Sequence, residues 1–371
     1  MEMDMKIKNM NMNNNGMQEG PMEFAQRLMG MINGAAVTIA ISLGSETGLF
    51  KVMTGLSKPK TSEEIAKIAG LKERYVREWL ASMVVSRIVE MDEENGTYYV
   101  PPYRRPFLEG PKNTAGFARM IPMLCEAYDS VADCFQLDGP NGVSYSRYGK
   151  FHHLMDFISN CLHSGSLIPR VLPQVPGMLD ILEQGGQSLD VGCGRGKVVL
   201  LLAQRFPKSR FYGIDISRES IEFAKREAEK LSLDNAEFYT QDATQLPSDW
   251  SEKFDYVTSF DAIHDMPKPY KTLSEIKRIL KPGGYFSMLE VNVHSHPVRN
   301  IGNPRAMNGY VISLMHCMAV SLNVENGAGL GIMWGKEEAT KTLERVGFSD
   351  ITLEPTPDRF NCHYISKKKV D

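Results

Sequence analysis

The sequence predicts an α/β protein: a Rossmann-like, seven-stranded sheet in the C-terminal half, preceded by a mostly helical domain containing a winged helix. Three observations carry this. From Gln187 onward, short apolar strands alternate with amphipathic helices, the pattern of a parallel sheet covered on both faces. The first of these strands runs into "LDVGCGRG" (189–196), a glycine-rich turn that opens a helix. Residues 61–100 read as helix, turn, helix and hairpin.

The 371 residues exceed a usual single domain, so two cores are expected. With 42 basic against 45 acidic residues, intermixed along the chain, the net charge of −3 creates no field for nucleic acid or anionic lipid. Neither nucleic acid nor membrane is therefore expected as a partner. Six cysteines without CxxC spacing suit reduced thiols in a cytoplasmic protein. Residues 1–21 are polar and rich in Asn and Met, without a signal-like apolar stretch, and read as a disordered tail. Leu28 to Ser45 is uncharged for 18 residues, but its Gly, Asn, Thr and Ser content favours a buried helix over a membrane span.

"TSEE" at Thr61 has capping-box spacing and opens a short helix that Gly70 ends. A second helix places Tyr75, Val76, Trp79, Leu80 and Met83 at helical spacing. Two short strands around Asn95-Gly96 complete the winged helix of a domain spanning 22–102. From Lys60 to Val100 there are six basic and eight acidic residues, and the wing carries Asp92, Glu93 and Glu94. Dimerisation suits such a unit better than DNA, whose phosphates would call for Lys or Arg there.

Residues 103–184 read as a helical linker, with helices near 114–135, 148–163 and 166–184. Its stretch "SYSRYGKFHHLMDF" gathers Tyr145, Tyr148, Phe151, His152 and His153, read either as ordinary core aromatics or as the lining of a small-molecule pocket. The last domain, 185–371, carries an insertion at 294–335 and strands at "SLDVG", "RFYGID", "AEFYTQD", "FDYVTSF", "YFSMLEV", "FSDITLEP" and "NCHYISKK".

The turn spaces its glycines as Gly192, Gly194 and Gly196, which lets a ligand approach the backbone where a Cβ would collide. A dinucleotide site would space them G-x-G-x-x-G, so a nicotinamide-dependent dehydrogenase is disfavoured. Asp215 closes the next strand, where a carboxylate can accept both hydroxyls of a ribose, and Asp242 follows a third strand. Together "LDVGCGRG", "YGIDIS", "FYTQDATQLP", "FDYVTSFDAIHD" and "LKPGGYFSMLE" resemble, in order and spacing, the class I S-adenosylmethionine-dependent methyltransferases. The whole of 22–369 resembles a two-domain group with an N-terminal winged helix. The resemblance implies S-adenosylmethionine as cofactor. Gly192, Cys193 and Gly194 would contact its methionyl part, Asp190 would orient its ammonium and Asp215 would take its ribose hydroxyls. Ile216 would face adenine, Asp242 and Ala243 the adenine amine, and Phe260 the methionyl group.

Methyl transfer to a small-molecule oxygen or nitrogen needs alignment and a free lone pair on the acceptor, and no metal is obligatory. His264, just beyond the fourth strand, is the first candidate for a general base, with an ordinary pKa of about 6.5; a structural role in the cleft is the alternative. His316 reads as a core or pocket histidine, and Tyr310, Met333 and Trp334 as further candidates to close the acceptor cavity. His294 and His296 read as exposed loop residues. The resemblance further implies a homodimer formed through the N-terminal helices. A cofactor-binding winged-helix regulator without catalysis is the alternative function.

Overall fold

The structure, a computed structural model, describes residues 19–110, 112–357 and 359–370; most of the expected N-terminal tail lies outside them. The chain divides into two compact units, up to Pro122 and from Met123 on, a boundary that falls inside the expected linker.

The first unit begins with α1 (Pro21–Glu46) and α2 (Leu49–Gly55). Next comes α3 (Ser62–Ala69), whose ends match the signals in its sequence. The Thr61 hydroxyl accepts from the Glu64 backbone, the Glu64 carboxylate accepts from the Thr61 backbone, and Gly70 caps the other end at a φ of 67°. A cap of this kind stabilises a helix by about 0.5–2 kcal/mol. α4 (Glu73–Val85) then buries Val76, Trp79, Leu80 and Met83 against Phe50, Met53 and Ile65. The wing pairs β1 (Glu90–Asp92) with β2 (Thr97–Tyr99) in antiparallel register. Asp92 accepts from the backbones of Glu94 and Asn95 and from the Asn95 amide, so this wing acid folds the turn.

The expected burial of the 28–45 segment is not found within the chain. Only Ser42 and Gly44 of α1 are buried, while Met22, Met29, Ile32 and Leu43 are each more than half exposed. The cause is that α1 is anchored by its last turns alone: the Trp79 indole donates to the Ala40 carbonyl at 2.8 Å, and Gly44 lets the Trp79 and Phe50 rings approach. By length and composition α1 could also cross a membrane, its mean hydropathy reaching 1.5.

The second unit is built on a seven-stranded sheet. Its strands are β3 (Gln187–Val191), β4 (Arg210–Asp215), β5 (Ala236–Thr240), β6 (Phe254–Phe260), β7 (Leu280–Val291), β8 (Ser349–Pro355) and β9 (Asn361–Lys367). They lie in the order β5-β4-β3-β6-β7-β9-β8, parallel from β5 to β7, with β9 antiparallel to both its neighbours. The strand order reverses between β3 and β6, which opens a crevice at their carboxyl ends, the usual ligand position in such sheets. One face is covered by α5 (Lys197–Arg205) and α6 (Arg218–Lys230), the other by α7 (Pro269–Ile279) and α8 (Gly335–Val346), each turning its apolar stripe inward.

Two expected helices are broken. Residues 115–133 form a 3-10 turn and two short helices, and residues 167–184 form a π turn, a 3-10 turn and a helix beginning at Met178. Pro169, Pro173 and Pro176 remove the amide donors that a continuous second helix would need.

A Cβ at Gly44 would stand 2.6 Å from Trp79 Cζ2 and 2.7 Å from Phe50 Cε2. Gly44→Val should therefore destabilise the first unit by about 1–3 kcal/mol, read as a lower denaturation midpoint; an unchanged midpoint would show that these rings move aside freely.

Candidate active site

Gly192, Gly194 and Gly196 all adopt left-handed backbone, with φ of 75°, 52° and 80°. Their reasons differ. A Cβ at Gly192 would meet Ala262 at 2.7 Å and one at Gly196 would meet Phe238 at 2.6 Å, whereas nothing lies within 4 Å of that position at Gly194. Packing excludes side chains at the outer two; the middle one faces open space.

The loop is tied to the neighbouring strand. The amides of Gly192 and Cys193 donate to the Ile214 carbonyl at 2.9 and 3.0 Å. At the end of β4 the Asp215 carboxylate accepts from the Gly194 amide (2.9 Å) and the Ser217 amide (2.8 Å), one on each oxygen. Its remaining lone pairs are held in a fixed direction. Asp190 is buried opposite Thr258, whose hydroxyl donates to it at 2.7 Å. Burial, helped by the nearby Asp215 charge and resisted by Thr258, pushes the Asp190 carboxyl up to about 7. Asp242 is exposed and accepts from the Thr244 amide, with Ala243 half-buried beside it. Ile216 is 74% exposed. Phe260 packs its ring 5.4 Å from that of His163.

Beyond β6 the chain enters a buried polar network that the sequence announces only in part. His264, in the 3-10 turn Ile263–Asp265, is 2% exposed. Its Nδ1 meets the carboxylate of Glu290, itself 1% exposed in β7, and its Nε2 lies 3.2 Å from Asp265 Oδ1. Burial alone would discourage a charge on the ring, but Glu290 and Asp265 outweigh it and hold the imidazole pKa well above 6.5. The effect is reciprocal. Although burial works the other way, the His264 charge draws Asp265 down to about 2. With both nitrogens facing carboxylates, His264 offers no free lone pair in this arrangement, which counts against its reading as a simple general base.

Asp265 links this network to the aromatic stretch, for the Tyr145 hydroxyl reaches its Oδ2 at 3.4 Å. Tyr145 and Tyr148 pack edge-on against the His316 ring, and Phe151 stacks on it at 4.3 Å. The Tyr148 hydroxyl donates to the Met315 carbonyl. His316 and Cys317 sit in a π turn, Ser313–Cys317, a distortion that recurs at functional sites. Burial lowers the His316 pKa to about 4, and its Nε2 has no hydrogen-bond partner among the described residues. The ring is thus neutral, with an unused polar atom.

Other candidates lie elsewhere. His152 bonds Ser217 (3.2 Å) and Ser220 (3.0 Å) at the start of α6, beside the Asp215 corner, while His153 meets Arg195 at 3.1 Å. Trp334 does not line the aromatic cluster: it is buried in the sheet core, its indole donating to Glu290 at 3.2 Å. Met333 is buried against Val291, Val293 and Ala306. Tyr310 is half-exposed, its hydroxyl 3.5 Å from the Asn300 amide. His296 is exposed, but the expectation of exposure fails for His294, which is half-buried and bonded to Glu337 at 2.7 Å, an acid 43 positions on.

Glu290 and Cys317 were missed by sequence reasoning. A lone acid inside the apolar strand "SMLEV" was the available signal, since a buried carboxylate requires a partner.

With this geometry in view, the chain can be set beside known proteins. A methyltransferase domain profile matches residues 182–347, and an Rv2258c-like winged HTH domain profile matches residues 35–109. The demethylmenaquinone methyltransferase of Staphylococcus aureus is 33% identical over 200 residues, covering 51% of this chain and 79% of that one. The chain belongs to the methyltransferase family. A fatty-acid O-methyltransferase of Mycolicibacterium smegmatis is 34% identical over 103 residues, but these cover only 28% of this chain and 36% of that one. Among solved structures, human N-acetylserotonin methyltransferase in complex with SAM superposes with a TM-score of 0.68 at 15% identity, covering 97% of this chain and all of that one. The mitomycin 7-O-methyltransferase MmcR gives a TM-score of 0.65 at 16% identity, covering 93% and 97%. At such identities these likenesses establish the fold. The protein is a class I S-adenosylmethionine-dependent methyltransferase with an N-terminal winged helix.

The raised Asp190 carboxyl yields a pH prediction for this methyltransferase. With burial raising it to about 7, it is partly protonated near neutral pH, and the arrival of the cofactor's positive charge favours its ionised form. Cofactor binding near pH 6.5 should release a proton, seen by calorimetry in buffers of different ionisation enthalpy. Proton uptake would contradict this.

Proposed function

We propose that this methyltransferase transfers the methyl group of S-adenosylmethionine to an oxygen or nitrogen of a small molecule. The observation that carries the proposal is the Asp215 carboxylate, clamped by the Gly194 and Ser217 amides beside a glycine turn whose middle position is open. Gly192, Cys193 and Gly194 suit the methionyl part, Asp190 its ammonium, Asp215 the ribose hydroxyls, and Ile216, Asp242 and Ala243 the adenine, with Phe260 near the methionyl group. These residues fit the cofactor because they offer acids where it has donors and bare backbone where it needs room.

When bound, the cofactor supplies a sulfonium-activated methyl carbon; the protein supplies alignment and dryness. The acceptor's place is assigned to the cluster of Tyr145, Tyr148, Phe151 and His316, with His152 at its border with the cofactor. The neutral His316 Nε2 is free to accept a hydrogen bond from an acceptor hydroxyl or amine. His264, joined to Glu290 and Asp265, holds the carboxylate that Tyr145 touches. Relatives and structural neighbours that act on fatty acid, demethylmenaquinone, N-acetylserotonin and mitomycin support a small acceptor.

The exposed apolar residues of α1 are assigned to a homodimer. Six unpaired cysteines fit a cytoplasmic setting, and the acidic wing favours subunit contact over DNA.

Replacing Asp215 by Ala should weaken cofactor binding by about 1.5–3 kcal/mol, tenfold to a hundredfold or more, with the circular dichroism unchanged. Equal affinity in calorimetry would refute the ribose assignment. For the dimer, sedimentation should give twice the chain mass, and Ile32→Glu with Met29→Glu should return it to one. A wild-type monomer that floats with phospholipid vesicles would instead assign α1 to a membrane surface.

A further inference from the structure

Where β6 ends, two oxygen atoms in neighbouring side chains are left without partners. The Asp261 amide donates to the Leu289 carbonyl at 2.9 Å, which fixes the residue beside β7, and its carboxylate turns to the start of β9, where Oδ2 accepts from Asn361 Nδ2 at 2.7 Å. That bond occupies one oxygen of the acid and the nitrogen of the amide. Asp261 Oδ1 and Asn361 Oδ1 are both shut off from solvent and have no hydrogen-bond partner among the described residues. Asn361 is 3% exposed, whereas Asp261 is only partly buried, and both belong to the second unit. We propose that Asp261 and Asn361 form a recognition subsite for a protonated amine on the methyl acceptor, anchoring that molecule while a separate hydroxyl or neutral nitrogen takes the methyl group.

The chemistry of the two free atoms sets what they can hold. A carboxylate oxygen and an amide oxygen are both acceptors, so the ligand must bring donors; an ammonium brings three and a hydroxyl one. Left unmatched, such buried oxygens are costly. Charge makes the choice between donors. The ionisable groups acting on Asp261 are Glu290, Asp265 and His264, so acids outnumber the single imidazole whether that ring is neutral or charged. Burial and Glu290 push the Asp261 carboxyl up to about 7 against the pull of His264 and Asn361, and a cation seated beside it would favour the ionised form.

The backbone gives no reason for an acid here. Asp261 has a φ of 51°, a conformation that glycine adopts without strain, so the carboxylate is retained at a cost. Asn361 is held independently: the Thr356 hydroxyl donates to its carbonyl at 2.8 Å and accepts from its amide at 3.1 Å, leaving the side chain to face Asp261. The place also suits an acceptor. Phe260, assigned to the methionyl group, precedes Asp261, and Asp265, four positions on, meets the Tyr145 hydroxyl of the aromatic cluster at 3.4 Å. An ammonium has no lone pair to receive a methyl group, so its contribution is to position the nucleophile carried elsewhere on the molecule. The proposal rests on the methyl-transfer reading for calling the ligand an acceptor, and on Asp261 and Asn361 alone for the amine.

The test is calorimetric titration of the full chain, saturated with S-adenosylhomocysteine, with tyramine and with para-propylphenol. These probes share a phenol ring and a chain length, and differ in ending with an ammonium or a methyl. Tyramine is expected to bind about 10- to 100-fold more tightly. Asp261→Asn should abolish that preference and Asn361→Ala should diminish it, with S-adenosylmethionine affinity unchanged in both. Should Asp261→Asn fold poorly, Asp261→Gly removes the carboxylate while relieving the backbone. Equal or tighter binding of the neutral phenol, no binding of either probe at millimolar concentration, or a preference that survives in full in the folded variants would each overturn the subsite. Cofactor affinity separates the two readings. A protein that binds S-adenosylmethionine without preferring the amine loses the subsite alone, and one that prefers the amine without nucleoside but binds no S-adenosylmethionine loses the methyl-transfer reading alone.

Discussion

The second unit is organised by carboxylates buried at the carboxyl ends of its central strands. Asp190 in β3 and Glu290 in β7 are removed from solvent and Asp261 after β6 is partly so, and a carboxylate there must be neutralised, hydrogen-bonded or paired. Asp190 takes the Thr258 hydroxyl, Asp261 takes the Asn361 amide, and Glu290 takes His264 and the Trp334 indole. Burial pushes the Asp190 and Asp261 carboxyls up to about 7, while Glu290 is matched by an imidazole that it helps to keep charged. Asp261 also occupies the left-handed region at a φ of 51°, a strained position for a residue other than glycine. Such groups are costly in a core. Their concentration along one edge of the sheet marks that edge as the place where polar chemistry is wanted.

From this edge the site extends in two directions. Toward β4 it becomes a recognition surface: amides of the glycine turn and of α6 orient the Asp215 carboxylate, and His152 ties its own segment to Ser217 and Ser220. Toward the C-terminal insertion it becomes apolar and aromatic, with Tyr145, Tyr148 and Phe151 enclosing His316. A charged cofactor and a less polar acceptor suit these opposite characters. The junction is Asp265, which faces His264 on one oxygen and Tyr145 on the other.

The first unit follows a different logic. Its core is closed by Trp79, Phe50, Met53 and Ile65, and this small cluster leaves most of the apolar surface of α1 uncovered. Of the wing's acids, Asp92 is spent on its own turn. Both features support the subunit contact proposed for this unit.

What the sequence determined by itself was local or periodic. The strand-helix alternation, the capping box at Thr61, the hairpin at Asn95-Gly96 and the glycine spacing at 192–196 each depend on neighbours within a few positions, where backbone sterics and side-chain period act directly. The Asp215 corner was legible for the same reason, because the end of a strand can be located from its own residues. Only the tertiary structure could decide the pairings made across the sheet. Glu290 meets His264 across 26 positions, Tyr145 meets Asp265 across 120, and His294 meets Glu337 across 43, distances over which sequence spacing carries no geometric information. The same limit explains Trp334 and α1. Whether an apolar side chain closes a pocket, fills a core or remains exposed depends on which surfaces the completed fold sets against it, and no residue encodes that alone.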